Sequence, residues 1–251
     1  MIISIANQKG GVGKSTTSQA LGAGLHQKKY KTLLIDLDPQ GNISYTVGAT
    51  PGATAYELIT GQATAKETIQ QTAHGDIIPA SRALTLIDTE ITATGKEYRL
   101  KEAIAGIIKN YDFIIIDTPP ALGLLTINAL TASNEVIITA QADIYSLQGI
   151  GQLQETIQTV KKYCNQGLKV QGILLTRHNP RTILSKDMTE LIENTAQQIQ
   201  TSLYKTVIRE GIAIKEAQAT RQDIFTYSPK SNPGADYKDF VKEVIGRSKR
   251  Q

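Results

Sequence analysis

The chain is nearly without cysteine: Cys164 is the only one among 251 residues. An intrachain disulfide is therefore excluded, and so is an all-cysteine metal site built by one chain. Cys164 itself reads as a core residue near a helix end. Long apolar runs are also missing. The longest, around Phe113–Ile116 and Ile173–Leu175, reach about five residues, where a membrane-spanning helix needs roughly 20. The sequence passes from Met1 directly into an apolar strand-like segment, so no signal peptide is expected and the compartment reads as cytoplasmic. Charge of one sign is scarce too: 27 basic residues against 23 acidic ones leave a net +4, too small by itself to establish nucleic-acid binding. His26, His74 and His178 have no spacing that suggests a metal site or a catalytic base, although His178 falls near the expected ligand. No linker, repeat or low-complexity block interrupts the chain, and no helix-turn-helix extension is expected ahead of the first strand. Residues 1–251 are thus expected to form a single domain.

What is present is a regular alternation. Strand-like runs fall at Ile2–Ala6, Thr32–Asp36, Ile77–Pro79, Phe113–Asp117, Val136–Ala140, Val170–Thr176 and Thr206–Ile208. Most are continuously rich in Ile, Val and Leu, as parallel strands buried on both faces require. Between them lie helical patterns. Leu147, Ile150, Leu153, Ile157 and Val160 form one apolar stripe, and Met188, Leu191, Ile192, Ala196 and Ile199 form another. Gly48–Gly61 and Thr92–Lys96 read as loops. Strand–helix alternation of this kind predicts an α/β fold, a doubly wound and mostly parallel sheet with helices on both faces. Ligands of such sheets bind beyond the carboxyl ends of the strands.

The first strand leads straight into Lys9-Gly10-Gly11-Val12-Gly13-Lys14-Ser15-Thr16 and then into a helical stretch, Thr16–Lys28. A glycine-rich turn between strand and helix lets backbone N–H groups converge on phosphate oxygens. Lys14 is placed to reach β and γ phosphates, and the Ser15 hydroxyl to reach Mg²⁺. The usual phosphate-loop pattern has a glycine where this chain has Gln8. In addition the chain carries a second lysine, Lys9, at the mouth of the loop. One lysine suffices for a triphosphate, so a second suggests charge aimed at a nucleotide held by another subunit.

Acidic residues end two other strands. Asp36 and Asp38 lie in Leu33-Leu-Ile-Asp-Leu-Asp-Pro-Gln-Gly-Asn42, and Asp117 closes Phe113-Ile-Ile-Ile-Asp-Thr-Pro-Pro120. An apolar strand ending in aspartate is how phosphate-loop proteins hold Mg²⁺, directly or through water. Asp117 and Asp36 are the expected metal residues together with Ser15. In an extended chain Asp36 and Asp38 point to the same side, about 7 Å apart, so that Asp38 can reach toward an attacking water. Thr118-Pro119-Pro120 reads as a γ-phosphate sensor.

Lys9–Thr16, Asp36–Asn42 and Asp117–Pro120 together resemble the motifs of the ParA/MinD family of deviant Walker-type ATPases. Segments Gly123–Leu130, Gln141–Gly149, Leu174–Arg177 and Tyr227–Ser231 resemble it as well, so the likeness covers nearly the whole chain. The short, Soj-like ParA proteins are the nearest type. The resemblance implies a P-loop NTPase fold, ATP and Mg²⁺ as cofactors, and an ATP-dependent homodimer with two nucleotides sandwiched between subunits. It makes Lys9 the lysine that crosses to the partner's phosphates, Lys14 the lysine of its own subunit, and Asp38 the catalytic acid. It also places adenine against the segment after the sixth strand, Thr176–Thr182, with Asn179 as the expected contact, and against Ile208–Ile212, where Arg209 and Glu210 stand in place of the family's Pro-Arg-Asn. No Asn-Lys-x-Asp guanine motif occurs in the chain, which favours ATP over GTP.

Basic residues gather in the last third, where Lys205, Arg209, Lys215, Arg221 and Lys230 are candidates for contacting DNA phosphates. The resemblance implies a partition ATPase that binds DNA without reading sequence and answers to a ParB-like centromere-binding partner on the nucleoid. A MinD-like membrane ATPase is the alternative, suggested by the terminal stripe Tyr237, Phe240, Val241, Val244 and Ile245 ahead of Arg247, Lys249 and Arg250. Asp236, Asp239 and Glu243 share that helix and speak against an interfacial role. A metabolic enzyme of related fold, such as an amide ligase, is a third reading.

Overall fold

β1 (Ile2–Ala6) lies at the centre of the molecule because both its faces are apolar and both its edges are paired. A computed structural model describes residues 1–179 and 183–249. Seven strands form one sheet in the order β3-β4-β2-β5-β1-β6-β7. The others are β2 (Thr32–Asp36), β3 (Gln70–Thr72), β4 (Gly75–Ile78), β5 (Phe113–Asp117), β6 (Glu135–Ala140) and β7 (Lys169–Leu175). All neighbours pair in parallel except β3, which folds back antiparallel on β4.

Among the described residues twelve α-helical segments connect and flank the strands. After β1 comes α1 (Lys14–Gln27), and after β2 come α2 (Asn42–Thr46), α3 (Ala55–Thr60) and α4 (Ala65–Thr68). Between β4 and β5 lie α5 (Ile87–Glu90) and α6 (Arg99–Ile104); α7 (Leu124–Ala132) and α8 (Ile144–Tyr163) follow β5 and β6. The chain ends with α9 (Ile183–Gln198), α10 (Ile212–Ala219), α11 (Ile224–Tyr227) and α12 (Asn232–Ser248).

Strand residues alternate between two cores, as a period of two dictates. Ile3, Ile5, Leu34 and Ile115 pack with Leu21, Leu25, Tyr237, Phe240 and Val244 of α1 and α12. Ile2, Leu33, Ile35, Ile114 and Ile116 face the other way, against α3, α6 and α7. Val136, Ile138, Ile173 and Leu175 continue that second face under α8, whose buried stripe is Ile150, Leu153, Ile157 and Val160. Burying each such side chain contributes roughly 1.5–3 kcal/mol.

Several details depart from the sequence expectations. β3 is short, polar and half-exposed, and it lacks the alternation that marks a strand. Within the stretch read as a loop, α3 forms around a capping box in which the Thr54 amide and hydroxyl both donate to the Glu57 carboxylate. No strand forms at Thr206–Ile208. The Lys205 and Thr206 amides donate to the carboxylate of Glu243 on α12, and only Ile208 joins the edge of β7, its amide donating to the Leu175 carbonyl. Leu191 stays partly outside the core, so the α9 stripe is narrower than its periodicity suggested. Cys164 caps the end of α8 at the margin of the core, as expected. The terminal stripe of α12 is buried against the sheet and α1, which leaves no apolar face of that helix for a bilayer. No helix among the described residues is long and apolar enough to cross a membrane.

Candidate functional site

The segments that follow β1, β2, β5 and β7 line a cavity of about 630 Å³. Gly10, Gly11, Gly13, Lys14, Ser15 and Thr16 line one side of it. Gly11 and Gly13 have φ of 76° and 79°, the left-handed region in which a side chain would be strained. Gly13 is also the N-cap of α1 and brings no side chain to cap it, so the first turn keeps N–H groups for an anion. Two distant side chains hold the loop: Thr176 Oγ1 donates to the Val12 carbonyl at 2.9 Å, and Gln141 Nε2 to the Gly11 carbonyl at 3.0 Å.

Lys14 is 6% exposed and Nζ donates to the Lys9 carbonyl at 3.0 Å. No carboxylate among the described residues forms an ion pair with it. Burial lowers its pKa, and the Asp117 and Asp38 carboxylates pull it partly back. A desolvated cation without a counter-ion is costly alone and suited to a polyphosphate. Asp117 is fully buried. Its Oδ1 accepts from Ser18 Oγ at 2.9 Å, while Oδ2 has no hydrogen-bond partner among the described residues. Burial, and then the neighbouring Asp36 charge, push its pKa well above the usual carboxylate range, with the Ser15 and Ser18 hydroxyls acting against them. A buried carboxylate oxygen beside the Ser15 hydroxyl fits a divalent cation.

Past β2 the Leu37 amide still donates to the Asp117 carbonyl at 3.0 Å, and the Asp38 amide donates to Asp36 Oδ1 at 3.2 Å. Asp36 Oδ2 takes the Ser44 amide at 3.0 Å and the Ser44 hydroxyl at 2.7 Å. Both oxygens thus accept hydrogen bonds, and Asp36 ties α2 to β2. Asp38 lines the cavity and accepts the Gln40 amide at 2.9 Å. Thr118, read as a phosphate sensor, is buried and donates to the Ile5 carbonyl at 2.9 Å.

Lys9 lies outside the residues that line the cavity. Its Nζ is 2.6 Å from Asp143 Oδ2 and 5.8 Å above the Tyr145 ring. Asp143 caps α8 by accepting the Ser146 amide, and next to it Ile144 and Tyr145 are 48% and 68% exposed. Neither Asp143 nor this exposed pair was singled out in the sequence. Asp143 stands 134 positions from Lys9 and only the pairing of β1 with β6 brings them together.

The wall beyond β7 is built by Thr176, Arg177 and Ile208–Gly211. Arg177 and Glu210 form an exposed ion pair at 2.7 Å. Asn179 is exposed and is not among the lining residues; residues 180–182 of that segment lie outside the described ones. His178, partly buried, also stays off the cavity, with its ring near Ser185 and Thr189. Arg209 lines the wall, but its guanidinium is turned onto Asp236. Lys215 reaches the cavity as well, Arg221 stacks 4.4 Å over the Tyr45 ring, and Lys205 and Lys230 are exposed on the surface. The five candidates for DNA contact are thus not one cluster of free cations. Tyr237 was read only as part of an apolar stripe, yet it lines the cavity and its hydroxyl is 3.1 Å from Thr17 Oγ1.

The profile of the AAA domain family matches residues 1–170. The chain is 41% identical to the sporulation initiation inhibitor protein Soj of Bacillus subtilis over 97% of both sequences. It is 34% identical to the chromosome partitioning protein ParA of Myxococcus xanthus, covering 98% of this chain and 88% of that one. Among solved structures it resembles cobyrinic acid a,c-diamide synthase of Mycobacterium smegmatis with bound ADP and magnesium, at 31% identity and a TM-score of 0.82 over 99% and 95% of the two chains. The same synthase has also been solved with a bound ATP analogue and magnesium, at 30% identity; in this chain the buried Lys14 and the Asp117 carboxylate beside Ser15 are groups of the kind that suit a nucleotide and a divalent cation. With its phosphate loop, its strand-end aspartates and relatives along its full length, this chain belongs to the ParA/Soj family of ATPases.

Proposed function

We propose that the protein is a partition ATPase that segregates a plasmid or a chromosome region. In this reading ATP closes a homodimer, the dimer binds DNA through phosphate contacts, and a ParB-like centromere-binding partner together with DNA stimulates hydrolysis and release. The observation that carries it is Lys9, a second lysine at the phosphate loop whose side chain is outside its own cavity. It sits beside Asp143 and the exposed Ile144 and Tyr145, at a surface where a second copy would dock. The Soj and ParA likenesses support the same role.

Hydrolysis in such a site needs positioning and charge neutralisation more than covalent chemistry. Ser15 and Asp117 would hold Mg²⁺, which would supply part of that neutralisation. The loop amides from Gly10 to Thr16 orient the phosphates, Lys14 balances charge on the β and γ groups, and the Asp38 carboxylate orients the attacking water. The partner's Lys9 adds a second cation only when the dimer forms, which links turnover to assembly. The untethered basic residues, Lys205, Lys215 and Lys230, are the better DNA candidates. The protein would then be cytoplasmic and nucleoid-associated, one domain from 1 to 251.

DNA binding with ATP, compared for wild type, Lys14→Ala and Asp38→Ala, tests this reading. We expect wild type to bind only with ATP, Lys14→Ala not to bind, and Asp38→Ala to remain bound because it cannot turn over. Equal binding by all three, whatever the nucleotide, would sink the switch. An amide ligase is the second reading, supported by the 31% identity to the diamide synthase. ATP turnover that requires a small carboxylic acid and ignores DNA would favour it.

A further inference from the structure

Three residues on one face of α12 brace the wall of the cavity that lies beyond β7. Pro233, Asp236 and Tyr237 follow a spacing of i, i+3, i+4 and therefore share a helical face. A Cβ on Gly211 would stand 3.0 Å from the Pro233 ring, so the wall packs tightly on α12 and any side chain there would push against it. Tyr237 reaches the other wall, with its hydroxyl 3.1 Å from Thr17 on α1. Asp236 makes the central contact. Its carboxylate accepts the Arg209 amide at 2.9 Å, Arg209 Nε at 2.9 Å and Arg209 Nη2 at 2.6 Å. The Asp236 side chain is only 12% exposed, so this is a fork-on-carboxylate pair shielded from water on one side.

The wall has few other anchors. The Ile208 amide donates to the Leu175 carbonyl at 2.8 Å and the His178 amide to the Ile208 carbonyl at 2.9 Å, which fixes its start on β7. Beyond Ile208 the next main-chain tie is the Arg209 amide on Asp236, and α10 then begins at Ile212. Arg177 grips Glu210 from outside, but both partners are at least half exposed, a geometry of little worth.

The cavity itself gives this wall its ligand. Asp38 lies past β2 and the phosphate loop past β1, with β5 between them, so a triphosphate whose γ end faces Asp38 runs toward β6 and β7. Its base would then fall against Thr176, Ile208 and the Arg209–Gly211 backbone, which line that end of the cavity. A carbonyl and an amide held at fixed positions distinguish adenine, whose N6 donates and N1 accepts, from guanine, whose O6 accepts and N1–H donates.

We propose that Asp236 is a positioning residue for base selection: through Arg209 it holds the Arg209–Gly211 backbone at the height where that backbone reads adenine. The Arg209 guanidinium is thereby committed to the fold and not to DNA. This rests on the cavity being the ATP site, and it adds a residue from the last helix to nucleotide choice.

The test compares fluorescent ATP and GTP analogues, with Mg²⁺, on wild type, Asp236→Asn, Asp236→Glu, Arg209→Ala and the double variant Arg209→Ala/Asp236→Asn. Asp236→Asn should weaken ATP about tenfold, the worth of one or two hydrogen bonds, and GTP by less than about twofold. KM for ATP should rise by the same factor with a much smaller change in kcat. Asp236→Glu should recover part of the selectivity. Arg209→Ala should match Asp236→Asn, and the double variant should be no worse than either. Thermal melts without nucleotide identify any variant that does not fold, in which case Arg209→Ala carries the same expectation. Equal weakening of ATP and GTP, or no change in either, would overturn the proposal and leave Asp236 a purely structural residue. Failure of the wild type to bind ATP would instead remove the nucleotide reading beneath it.

Discussion

The Lys14 ammonium donates a hydrogen bond to the main-chain carbonyl of Lys9 at 3.0 Å. The buried cation of the phosphate loop thus rests on the entrance of that same loop, five residues before it. A phosphate competes directly for the ammonium, so nucleotide entry and the conformation around Lys9 are coupled by one contact.

Lys14→Met separates the cost of this cation from its use. ATP affinity should fall by about 100-fold or more, since charge-assisted hydrogen bonds are lost. Nucleotide-free stability should not fall, because a buried, desolvated lysine without a carboxylate partner is removed. Thermal melts with and without Mg-ATP check both halves. A clear drop in the nucleotide-free melt would contradict this account of Lys14.

Asp143 serves two tasks that substitution can divide. Asp143→Ala removes the cap of α8 as well as the Lys9 pair, and should cost about 1 kcal/mol in urea unfolding. Asp143→Asn retains a capping oxygen for the Ser146 amide and should cost less than about 0.5 kcal/mol. If both cost the same, the cap is not what stabilises this corner.

Acid should weaken the attachment of α11. Burial alone would raise the Asp223 pKa, but His74 and the Thr226 hydroxyl and amide overcome it and bring the value to about 2. A carboxylate depressed in the folded state contributes stability above its unfolded pKa and loses it as pH falls through the folded one. The window is therefore from about pH 4 down to about 2, with about 2 kcal/mol at stake. Asp223→Asn keeps a cap for Phe225 and Thr226, so its melting temperature should lack the wild-type slope in that window.

Close packing of α1 on α12 leaves no room at Gly24. A Cβ there would lie 2.6 Å from Val241 Cγ2 and 3.1 Å from the Phe225 ring. Gly24→Ala should destabilise the protein by about 2 kcal/mol and lower the melting temperature by roughly 4–8 °C. Adding Val241→Ala should return part of that loss, which a double-mutant cycle measures.

The phosphate loop, the strand-end aspartates and the five central parallel strands were legible in the sequence because each is a local pattern. Other features were not. β3 has no apolar alternation to announce it, and Thr206 forms no strand because Glu243, 37 positions away, captures its amide. That Ser44 donates twice to Asp36 could not be read from the sequence, because Ser44 lies on the next helix. Nor could the position of Tyr237 on the cavity, hidden as it was in an apolar stripe. The capping box of α3 was there to be read at Thr54 and Glu57.

By itself the sequence determined that Gly11 and Gly13 can turn left-handed, that a helix follows the loop, and that apolar strands end in Asp36 and Asp117. These are properties of short contiguous segments, set by backbone sterics and periodicity. Which strand end stands next to which was decided only by the order β2-β5-β1-β6-β7. That order brings Asp117 beside Ser18, Asp143 to Lys9 and Thr176 to Val12, across 99, 134 and 164 positions. It also packs α12 so that Asp236 takes Arg209. The physical reason is that charges and hydrogen bonds act over a few ångströms of space, and only the buried sheet converts distant positions into such neighbours.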